Sequence, residues 1–337
     1  MTNKHIHQSR IFDALKTVEL TNGRKTKLQV LNFGAAIFSL EFLRGDGEYL
    51  NVLVSPEKPE DFLSQVYEER NQCFGASVGR YAGRISHGHF RLNGKDYPLY
   101  AKDGVHLHGG KLGFTYKFWN IEEVTRLPNP SVRLSYLSKD GEEGYPGNLQ
   151  VSVTYTLTEE DEVKIEYTAV TDADTIVNLT NHAYFNLNGG GDIKDHLLQL
   201  KADEVLEVDK DLMPTGGFMK VHDTWMDFTN LRPIGEATLD DVYVLREKAD
   251  GGERMVLKGP ETGISLHIES NQPAVVVYIP ENLPDDWQYQ TNVPGSKPSV
   301  CLETQNFPDA PHHPHFPSSV LRPGETYRNS IIWKFRQ

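Results

Sequence analysis

Short segments in which apolar and polar residues alternate recur along most of the chain, and they are rich in β-branched and aromatic side chains. Alternation with a period of two is typical of strands that bury one face. We therefore predict strands at 27–31, 131–137, 149–157, 163–170, 264–269, 274–279 and 330–335. Strands dominate the predicted structure, and the sequence shows no regular alternation of strands with helices.

Turn-forming residues separate these segments, with Asn-Gly and Asp-Gly corners that are typical of tight hairpins. They lie at 44–47, 92–95, 139–141 and 250–252. Such turns predict antiparallel pairing of neighbouring strands. The best helix candidate is short and covers 58–65, with Ser55 as its cap and Pro56 in its first turn.

Strand signals continue from about residue 16 to the last residues, and no long linker, low-complexity tract or internal repeat interrupts them. We therefore predict a single domain over residues 1–337. Many strands protect their edges by curling or by packing two large sheets face to face. The expected fold is all-β, a large twisted antiparallel β-sandwich with few short helices. A barrel is the lesser alternative.

The charge balance restricts the class of partner. The 337 residues include 34 Lys and Arg against 47 Asp and Glu, which gives a formal net charge of −13. This charge opposes binding to nucleic acid or to an anionic membrane, so we expect a small neutral or polar partner. No apolar run has the length of a secretory signal or a membrane span. We expect a cytoplasmic protein in which Cys73 and Cys301 are reduced core thiols.

Four segments concentrate polar groups that strands can point into a cleft. They are G-R-Y-A-G-R-I (79–85), H-L-H-G-G (106–110), N-L-T-N-H-A-Y-F-N-L (178–187) and C-L-E-T-Q-N-F-P (301–308). Each also has a purely structural interpretation. The two arginines of the first segment fit a solvated surface equally well, because charged residues usually stay outside. The third segment fits a hydrogen-bonded corner, because buried amides need partners.

Two histidine clusters raise the question of a metal site. His106 and His108 would share one face of a strand, but no third and fourth ligand lie at a recognisable spacing. In the cluster at 311–315, prolines beside the histidines indicate an extended loop with hydrated side chains. We expect neither cluster to bind a metal.

The sequence contains no G-x-G-x-x-G, Walker or G-x-S-x-G motif, so dinucleotide, nucleotide and serine-hydrolase functions lose their usual signatures. Histidine is suited to donate a proton near neutrality, and Glu303, which stands between apolar neighbours, is a candidate base. Aromatic and amide side chains suit a sugar. The expected chemistry is general acid–base catalysis on an uncharged ligand.

In their order along the chain, these segments and several others resemble the aldose 1-epimerases, also called galactose mutarotases. The matching motifs are G-R-Y-A-G-R-I (79–85), L-H-G-G (107–110), D-G-E-E-G-Y-P-G-N-L (140–149), N-L-T-N-H-A-Y-F-N-L (178–187), L-D-D-V-Y-V (239–244), C-L-E-T-Q-N-F-P-D-A (301–310) and F-P-S-S-V-L-R-P-G-E-T-Y (316–327). They cover nearly the whole chain.

The resemblance implies a twisted β-sandwich with an open cleft and an isomerase that interconverts the α and β anomers of free aldoses. It implies no cofactor and no metal. By analogy, His182 is the general acid that protonates the ring oxygen, and Glu303 is the general base that removes the proton of the anomeric hydroxyl. The ring opens to an aldehyde, the C1–C2 bond rotates, and the same two groups close the ring.

The resemblance also assigns residues that bind the sugar. Arg84, His108 and Asp240 match the family's substrate contacts, and each offers a hydrogen-bonding partner for hydroxyl groups. Phe185 is implied as an apolar contact beneath the sugar ring. We expect these residues to orient the substrate while the catalytic pair transfers protons.

The chain departs from the family pattern at three places. Gly83 stands where the family usually has Asn, and Val276 stands where it has a sugar-contacting Gln. The loop after Val276 is rebuilt, and Asp241 follows Asp240 where the family has His. These departures argue against a strict preference for galactose, so another hexose or a pentose is also a candidate substrate.

Two other functions stay open on the sequence alone. A glycoside hydrolase or lyase can share this fold, but it usually needs two carboxylates, and Asp240 is the only obvious companion to Glu303. A sugar sensor without catalytic activity is the other alternative. The presence of both His182 and Glu303 argues against it. The expected partner is a monosaccharide, with no nucleic acid or membrane, and the expected state is a monomer or a weak homodimer.

Overall fold

Strands make up most of the computed structural model, which describes residues 14–246, 253–293 and 295–336. In the first half of the chain the strands are β1 (Thr17–Thr21), β2 (Lys27–Leu31), β3 (Ile37–Leu43), β4 (Tyr49–Asn51), β5 (Ser77–Val78), β6 (Arg84–Ile85), β7 (His89–Leu92), β8 (Lys95–Pro98), β9 (His106–Leu107), β10 (Asn120–Thr125), β11 (Ser131–Ser138), β12 (Leu149–Leu157) and β13 (Glu162–Thr171).

The second half of the chain adds fourteen more strands to the described structure. They are β14 (Thr175–Ile176), β15 (Thr180–Asn181), β16 (Tyr184–Phe185), β17 (Leu197–Leu200), β18 (Ala202–Val208), β19 (Pro214–Lys220), β20 (Arg232–Pro233), β21 (Asp240–Leu245), β22 (Met255–Lys258), β23 (Ser265–Ser270), β24 (Ala274–Tyr278), β25 (Val300–Gln305), β26 (Val320–Leu321) and β27 (Tyr327–Arg336).

Helical segments are short. The α-helix α1 covers Gln65–Arg70, and 3-10 turns cover Pro59–Leu63, Ser86–Gly88, Phe114–Tyr116, Glu142–Gly144 and Ala310–His312. No helix among the described residues is long and apolar enough to cross a membrane.

Two large antiparallel sheets form most of the structure. One has nine strands in the order β10-β11-β12-β13-β27-β23-β22-β17-β20, and the other has six in the order β16-β25-β24-β21-β18-β19. A four-stranded meander, β1 to β4, extends the structure at one side. The fold is therefore the predicted large antiparallel sandwich, and the barrel alternative is wrong.

The alternation in the sequence explains how these sheets bury one face. Along β12 the residues Leu149, Val151, Val153, Tyr155 and Leu157 are fully buried, while the residues between them face outward. Burying apolar area in this way is the main stabilising contribution to such a core. The same core cluster contains side chains from the six-stranded sheet and from the meander.

The predicted strands are all confirmed, with ends that shift by a few residues, and so are the hairpin turns at 44–47 and 92–95. The turn at 139–141 also joins two antiparallel strands, but it begins a longer connection that runs from Ser138 to Leu149. The turn at 250–252 lies outside the described residues. Cys73 and Cys301 are buried free thiols, as predicted.

The predicted helix at 58–65 is wrong in its boundaries. Only a 3-10 turn occupies this stretch, and α1 starts where the predicted helix ends. The extended backbone of Ser64 separates the two, and its hydroxyl accepts a hydrogen bond from the N–H of Tyr67 and caps α1. Ser55, the predicted cap, instead donates its hydroxyl to the carbonyl of Phe38.

Candidate active site

A cleft of about 860 Å³ lies on the outer face of the six-stranded sheet, with its opposite wall formed around β6 and β9. The lining residues are Asn71, Gln72, Gly83, Arg84, Leu107, His108, His182, Tyr184, Val208, Leu212, Pro214, Asp240, Val242, Val276, Tyr278, Glu303, Gln305 and Pro308.

Strand register places Glu303 at the floor of the cleft. Val276 on β24 pairs directly with Glu303 on β25 and with Val242 on β21, so these three side chains point to one face. Gln305 lies two residues further along β25 and lines the same cleft. Asp240 pairs with Tyr278 at the next position outward.

The corner between β15 and β16 holds His182. The backbone N–H of His182 donates to the carbonyl of Ala76, and the carbonyl of His182 accepts from the N–H of Gly75. The imidazole stacks on the ring of Tyr184, with centroids 5.1 Å apart and planes 20° from parallel. Backbone and ring contacts together fix where this imidazole points.

His182 and Glu303 form a close pair in the cleft. Nε2 of His182 lies 3.4 Å from Oε1 of Glu303, and both side chains are more than nine-tenths buried. Among the described residues, Nδ1 of His182 and Oε2 of Glu303 have no hydrogen-bond partner.

Burial disfavours the charged form of both side chains. It raises the pKa of Glu303 well above its ordinary value, and the neighbouring Asp240 carboxylate adds to this rise. It lowers the pKa of His182 to about 4. Burial consequently favours a neutral pair, in which the carboxyl group holds a proton and the imidazole does not.

Arg84 and Asp240 form an ion pair at the edge of the cleft, with 3.1 Å between the guanidinium and the carboxylate. Their side chains are 24% and 30% exposed, so both can also contact a ligand. His108 faces the same space, and its Nδ1 accepts a hydrogen bond from the N–H of Gly83 at 3.3 Å. Nδ1 is then unprotonated, which leaves the Nε2–H of His108 as a donor.

All five predicted site residues thus line one cleft, but other expectations about the motifs need correction. His106 and His108 do not share a strand face, because β9 ends at Leu107 and His108 has a positive φ of 50°. The ring nitrogens of His106 contact the carbonyl of Tyr100 and the hydroxyl of Tyr145. His106 is a buried structural residue.

The two arginines of the first motif have different roles. Arg84 lies in the cleft, whereas Arg80 is 2% exposed and forms hydrogen bonds with the β11–β12 hairpin. The expectation of a solvated surface pair is therefore wrong. The corner at 178–187 serves both predicted purposes, because its asparagines bond to backbone carbonyls while His182 faces the cleft.

The histidines at 312–315 are not simply hydrated, as the sequence suggested. Nδ1 of His312 lies 2.6 Å from Oδ1 of Asp309, and Nε2 of His313 lies 3.1 Å from the carbonyl of Pro214. Nε2 of His315 lies 2.9 Å from the carbonyl of Gly216. The contacts of His313 and His315 hold the start of β19, whose Pro214 lines the cleft.

Sequence reasoning misjudged the aromatic residues of the site. Phe185, expected beneath the sugar, is fully buried in the core and packs on Trp333. Its neighbour Tyr184 lines the cleft instead, because successive residues of a strand point to opposite faces. Tyr278 and Gln305 also line the cleft, and Gln305 shares the strand face of Glu303.

Within residues 14–246, 253–293 and 295–336, no group of three or more His, Cys, Asp and Glu side chains is arranged to hold a metal ion. The chemistry that His182 and Glu303 can perform themselves is proton transfer. The Arg84–Asp240 ion pair and neutral His108 can form hydrogen bonds with hydroxyl groups.

The fold is thus that of a large antiparallel β-sandwich protein with a buried His–Glu pair in a polar cleft. The family model described as aldose 1-epimerase matches residues 16–334. The chain therefore belongs to the aldose 1-epimerase family and is an isomerase.

Similar proteins share most of their length with this chain. The galactose mutarotase of Mus musculus is 36% identical over 95% of this chain and 94% of its own. The aldose 1-epimerase of Haemophilus influenzae is 37% identical over 80% of this chain and 83% of its own. A solved aldose epimerase homologue from C. elegans has a TM-score of 0.86 and 29% identity, covering 96% of this chain and 99% of that chain.

Proposed function

We propose that this enzyme interconverts the α and β anomers of free aldoses, with His182 as general acid and Glu303 as general base. The observation that carries the proposal is the 3.4 Å separation of these two side chains in the cleft. In a cyclic aldose, the hydroxyl oxygen O1 and the ring oxygen O5 are bonded to the same carbon. An acid and a base that serve both oxygens must therefore lie close together, as His182 and Glu303 do.

In the proposed ring opening, the enzyme takes one proton from the sugar and gives one proton to it. Glu303 as carboxylate takes the proton of the O1 hydroxyl while His182 as imidazolium gives a proton to O5, and the C1–O5 bond breaks. The open aldehyde rotates about C1–C2 and exposes its other face. The same groups then return the protons, and the ring closes as the other anomer.

This cycle needs both protonation states of the pair to be accessible. The pair is ionic while the cyclic sugar is bound, and it is neutral once the ring has opened to the aldehyde. Burial favours the neutral pair, as the raised pKa of Glu303 and the lowered pKa of His182 indicate. Mutual attraction at 3.4 Å in a buried site favours the ionic pair. The two effects oppose each other, and the proposed reaction uses both protonation states of the pair.

The other cleft residues are proposed to hold the sugar. Asp240 can accept two hydroxyl hydrogens, while Arg84 and the Nε2–H of His108 can donate to hydroxyl oxygens. Burial and the nearby His182 and Arg84 keep the pKa of His108 well below its ordinary value. His108 therefore stays neutral near pH 7 and acts as an orienting donor rather than as a second acid.

The sugar preference is proposed to be broad. Gly83 and Val276 present no polar side-chain atoms to the cleft, and Val276 lies in the same row as Glu303. Discrimination between sugars that differ at one hydroxyl depends on groups that bond that hydroxyl. We expect galactose and glucose to be converted with similar efficiency, and L-arabinose and D-xylose to be accepted.

The first test is the optical rotation of freshly dissolved α-D-galactose, α-D-glucose, L-arabinose and D-xylose, with and without the purified protein. The protein should speed the relaxation of each sugar without an added cofactor. Glu303→Gln and His182→Asn should each lower kcat by about 10²–10⁴-fold, because each removes one proton-transfer group.

The matched control is Glu60→Gln, which changes an exposed carboxylate outside the cleft and should leave kcat unchanged. Circular dichroism should show that the two active-site variants keep their fold. Near-normal turnover by either variant would refute the assigned roles. Tight sugar binding by calorimetry together with an unchanged relaxation rate would favour the sensor.

A further inference from the structure

Asn71 is an amide side chain in the cleft that belongs to none of the sequence motifs described above. It follows α1 and borders the same space as Arg84 and Asp240. Gly83 and Val276 also line this space and present no polar side-chain atoms to it. Donors for sugar hydroxyls therefore come from few side chains of the cleft, and Asn71 is one of them.

The backbone of Asn71 is held in a left-handed conformation, with φ of 51° and ψ of 41°. Its N–H donates to the carbonyl of Tyr67 at the end of α1, and its carbonyl accepts from the thiol of Cys73 at 3.6 Å. Tyr67 and Cys73 are both fully buried. Asparagine adopts this conformation at a lower cost than most residues that carry a side chain. Asn71 consequently has a fixed position at the wall of the cleft.

The hydroxyl of Tyr116 fixes the orientation of the Asn71 side chain, because it donates to Oδ1 of Asn71 at 2.7 Å. Burial raises the pKa of Tyr116, so this hydroxyl keeps its proton and stays the donor. Nδ2 of Asn71 then carries two N–H groups, neither of which bonds to another residue in the described part of the chain. The amide is thus an oriented donor.

The next residue, Gln72, connects this segment to the proposed general acid. Its carbonyl accepts a hydrogen bond from the hydroxyl of Tyr184 at 2.6 Å, and the ring of Tyr184 stacks on His182. Asn71 and His182 are therefore held by the same wall of the cleft. A sugar whose ring oxygen lies at His182 also lies against this wall.

We infer that Asn71 is a specificity-determining residue, whose Nδ2 donates a hydrogen bond to one hydroxyl group of the sugar. The inference rests on the proposed anomer exchange. In that reaction O1 and O5 face Glu303 and His182, so the hydroxyl that Asn71 binds is one of those at C2, C3, C4 and C6. An amide transfers no proton near neutral pH, so Asn71 acts on the binding of the sugar.

The first variant is Asn71→Gly, which removes the amide and keeps a residue suited to the left-handed backbone. The KM for D-glucose should rise by about two- to tenfold, the loss expected for one hydrogen bond, and kcat should stay the same. Optical rotation over a range of sugar concentrations gives both constants. Asn93→Gly is the matched control, because Asn93 also has a positive φ, of 52°, and its exposed side chain lies outside the cleft. It should change neither constant.

Deoxy sugars distinguish a direct contact from a structural role. The four derivatives of D-glucose that lack the hydroxyl at C2, C3, C4 or C6 are compared by kcat/KM. Asn71→Gly should lower this value for three of them, as it does for glucose, and leave the fourth unchanged, since that sugar lacks the hydroxyl that Asn71 binds. Tyr116→Phe should give the same pattern with a smaller loss, because the amide is present but no longer oriented.

An unchanged KM for glucose in Asn71→Gly, a fall in kcat in place of the rise in KM, or an equal loss for all four deoxy sugars would overturn the inference while the proposed function stands. Failure of the proposed function gives a different result, in which the unaltered protein accelerates none of these sugars. The contact is then tested by calorimetry with D-glucose. Weaker binding to Asn71→Gly than to the unaltered protein would support it, and equal binding, or none to either protein, would exclude it.

Discussion

Gln305 is a buried residue whose side-chain amide forms no hydrogen bond within the described part of the chain. Its side chain is fully buried, and neither the oxygen nor the nitrogen of its amide has a partner among the described residues. Nε2 of Gln305 lies 3.0 Å from the point that a Cβ on Gly83 would occupy. An unpartnered buried amide costs about 1–3 kcal/mol, so a sugar that bonds to it would recover this free energy on binding.

Replacing Gln305 by Leu should therefore weaken sugar binding more than catalysis. We expect KM for monosaccharides to rise by about tenfold, because one or two hydrogen bonds to the sugar are lost, with a smaller change in kcat. Stability should stay the same or increase, since the unpartnered amide is gone. Relaxation rates over a range of sugar concentrations separate the two constants.

The control for Gln305 is Gln272→Leu, because the Gln272 amide is also buried but donates to Asn271 and Arg328. This variant should lose stability and keep its KM. An unchanged KM in Gln305→Leu would show that Gln305 does not bind the sugar.

At the scale of elements, Arg80 connects the segment that carries Arg84 to the β11–β12 hairpin. Its guanidinium donates to the hydroxyl and carbonyl of Ser138 and to the carbonyls of Lys139 and Pro146, all at 2.9–3.0 Å. Four hydrogen bonds from one planar group fix the distance between two separate parts of the chain. Arg80 thus supports one wall of the cleft from behind without reaching the cleft itself.

Arg80→Met should lower the free energy of unfolding by about 3 kcal/mol or more, because it leaves several buried carbonyls without donors. Urea unfolding followed by tryptophan fluorescence measures this loss. Arg133→Met on the same hairpin removes an exposed arginine with a 3.7 Å ion pair and should cost at most about 0.5 kcal/mol. Equal costs for the two variants would contradict the role of Arg80.

The elements show what sequence patterns can and cannot predict. Alternation is local, so strands such as β12 were predicted to the residue. The pairing of β24 with β21 and β25, which sets Val276 beside Glu303, depends on contacts far apart in sequence. Likewise, nothing local distinguishes Arg80 from Arg84. The resemblance to a known family supplied the site residues that the pattern could not bring together.

At the scale of the whole molecule, buried histidines link stability to pH. Burial lowers the pKa of His106, His182 and His196 to about 4 each, while an unfolded histidine titrates near 6.5. Between these values the unfolded chain binds more protons than the folded one, so stability falls as the pH drops from about 6.5 toward 4. Glu303 contributes with the opposite sign, because its pKa is raised.

His196 isolates one part of this dependence, since it lies outside the cleft and its Nε2 accepts from the N–H of Leu187. His196→Gln should be less stable than the unaltered protein at pH 7. The difference should shrink by about 1–2 kcal/mol at pH 5, because the variant no longer has a buried imidazole that resists protonation. Urea unfolding at both pH values measures it, and a difference independent of pH would refute the argument.

The position of β27 has a consequence for how the protein is made. This strand lies between β13 and β23 near the middle of the nine-stranded sheet, and it contributes Trp333 and Phe335 to the core. During synthesis, β13 leaves the ribosome long before β27, its neighbour on one side in the sheet, has been made. The two halves of the sheet cannot join until residue 336 has emerged, so the chain must remain unaggregated with an open strand edge until then.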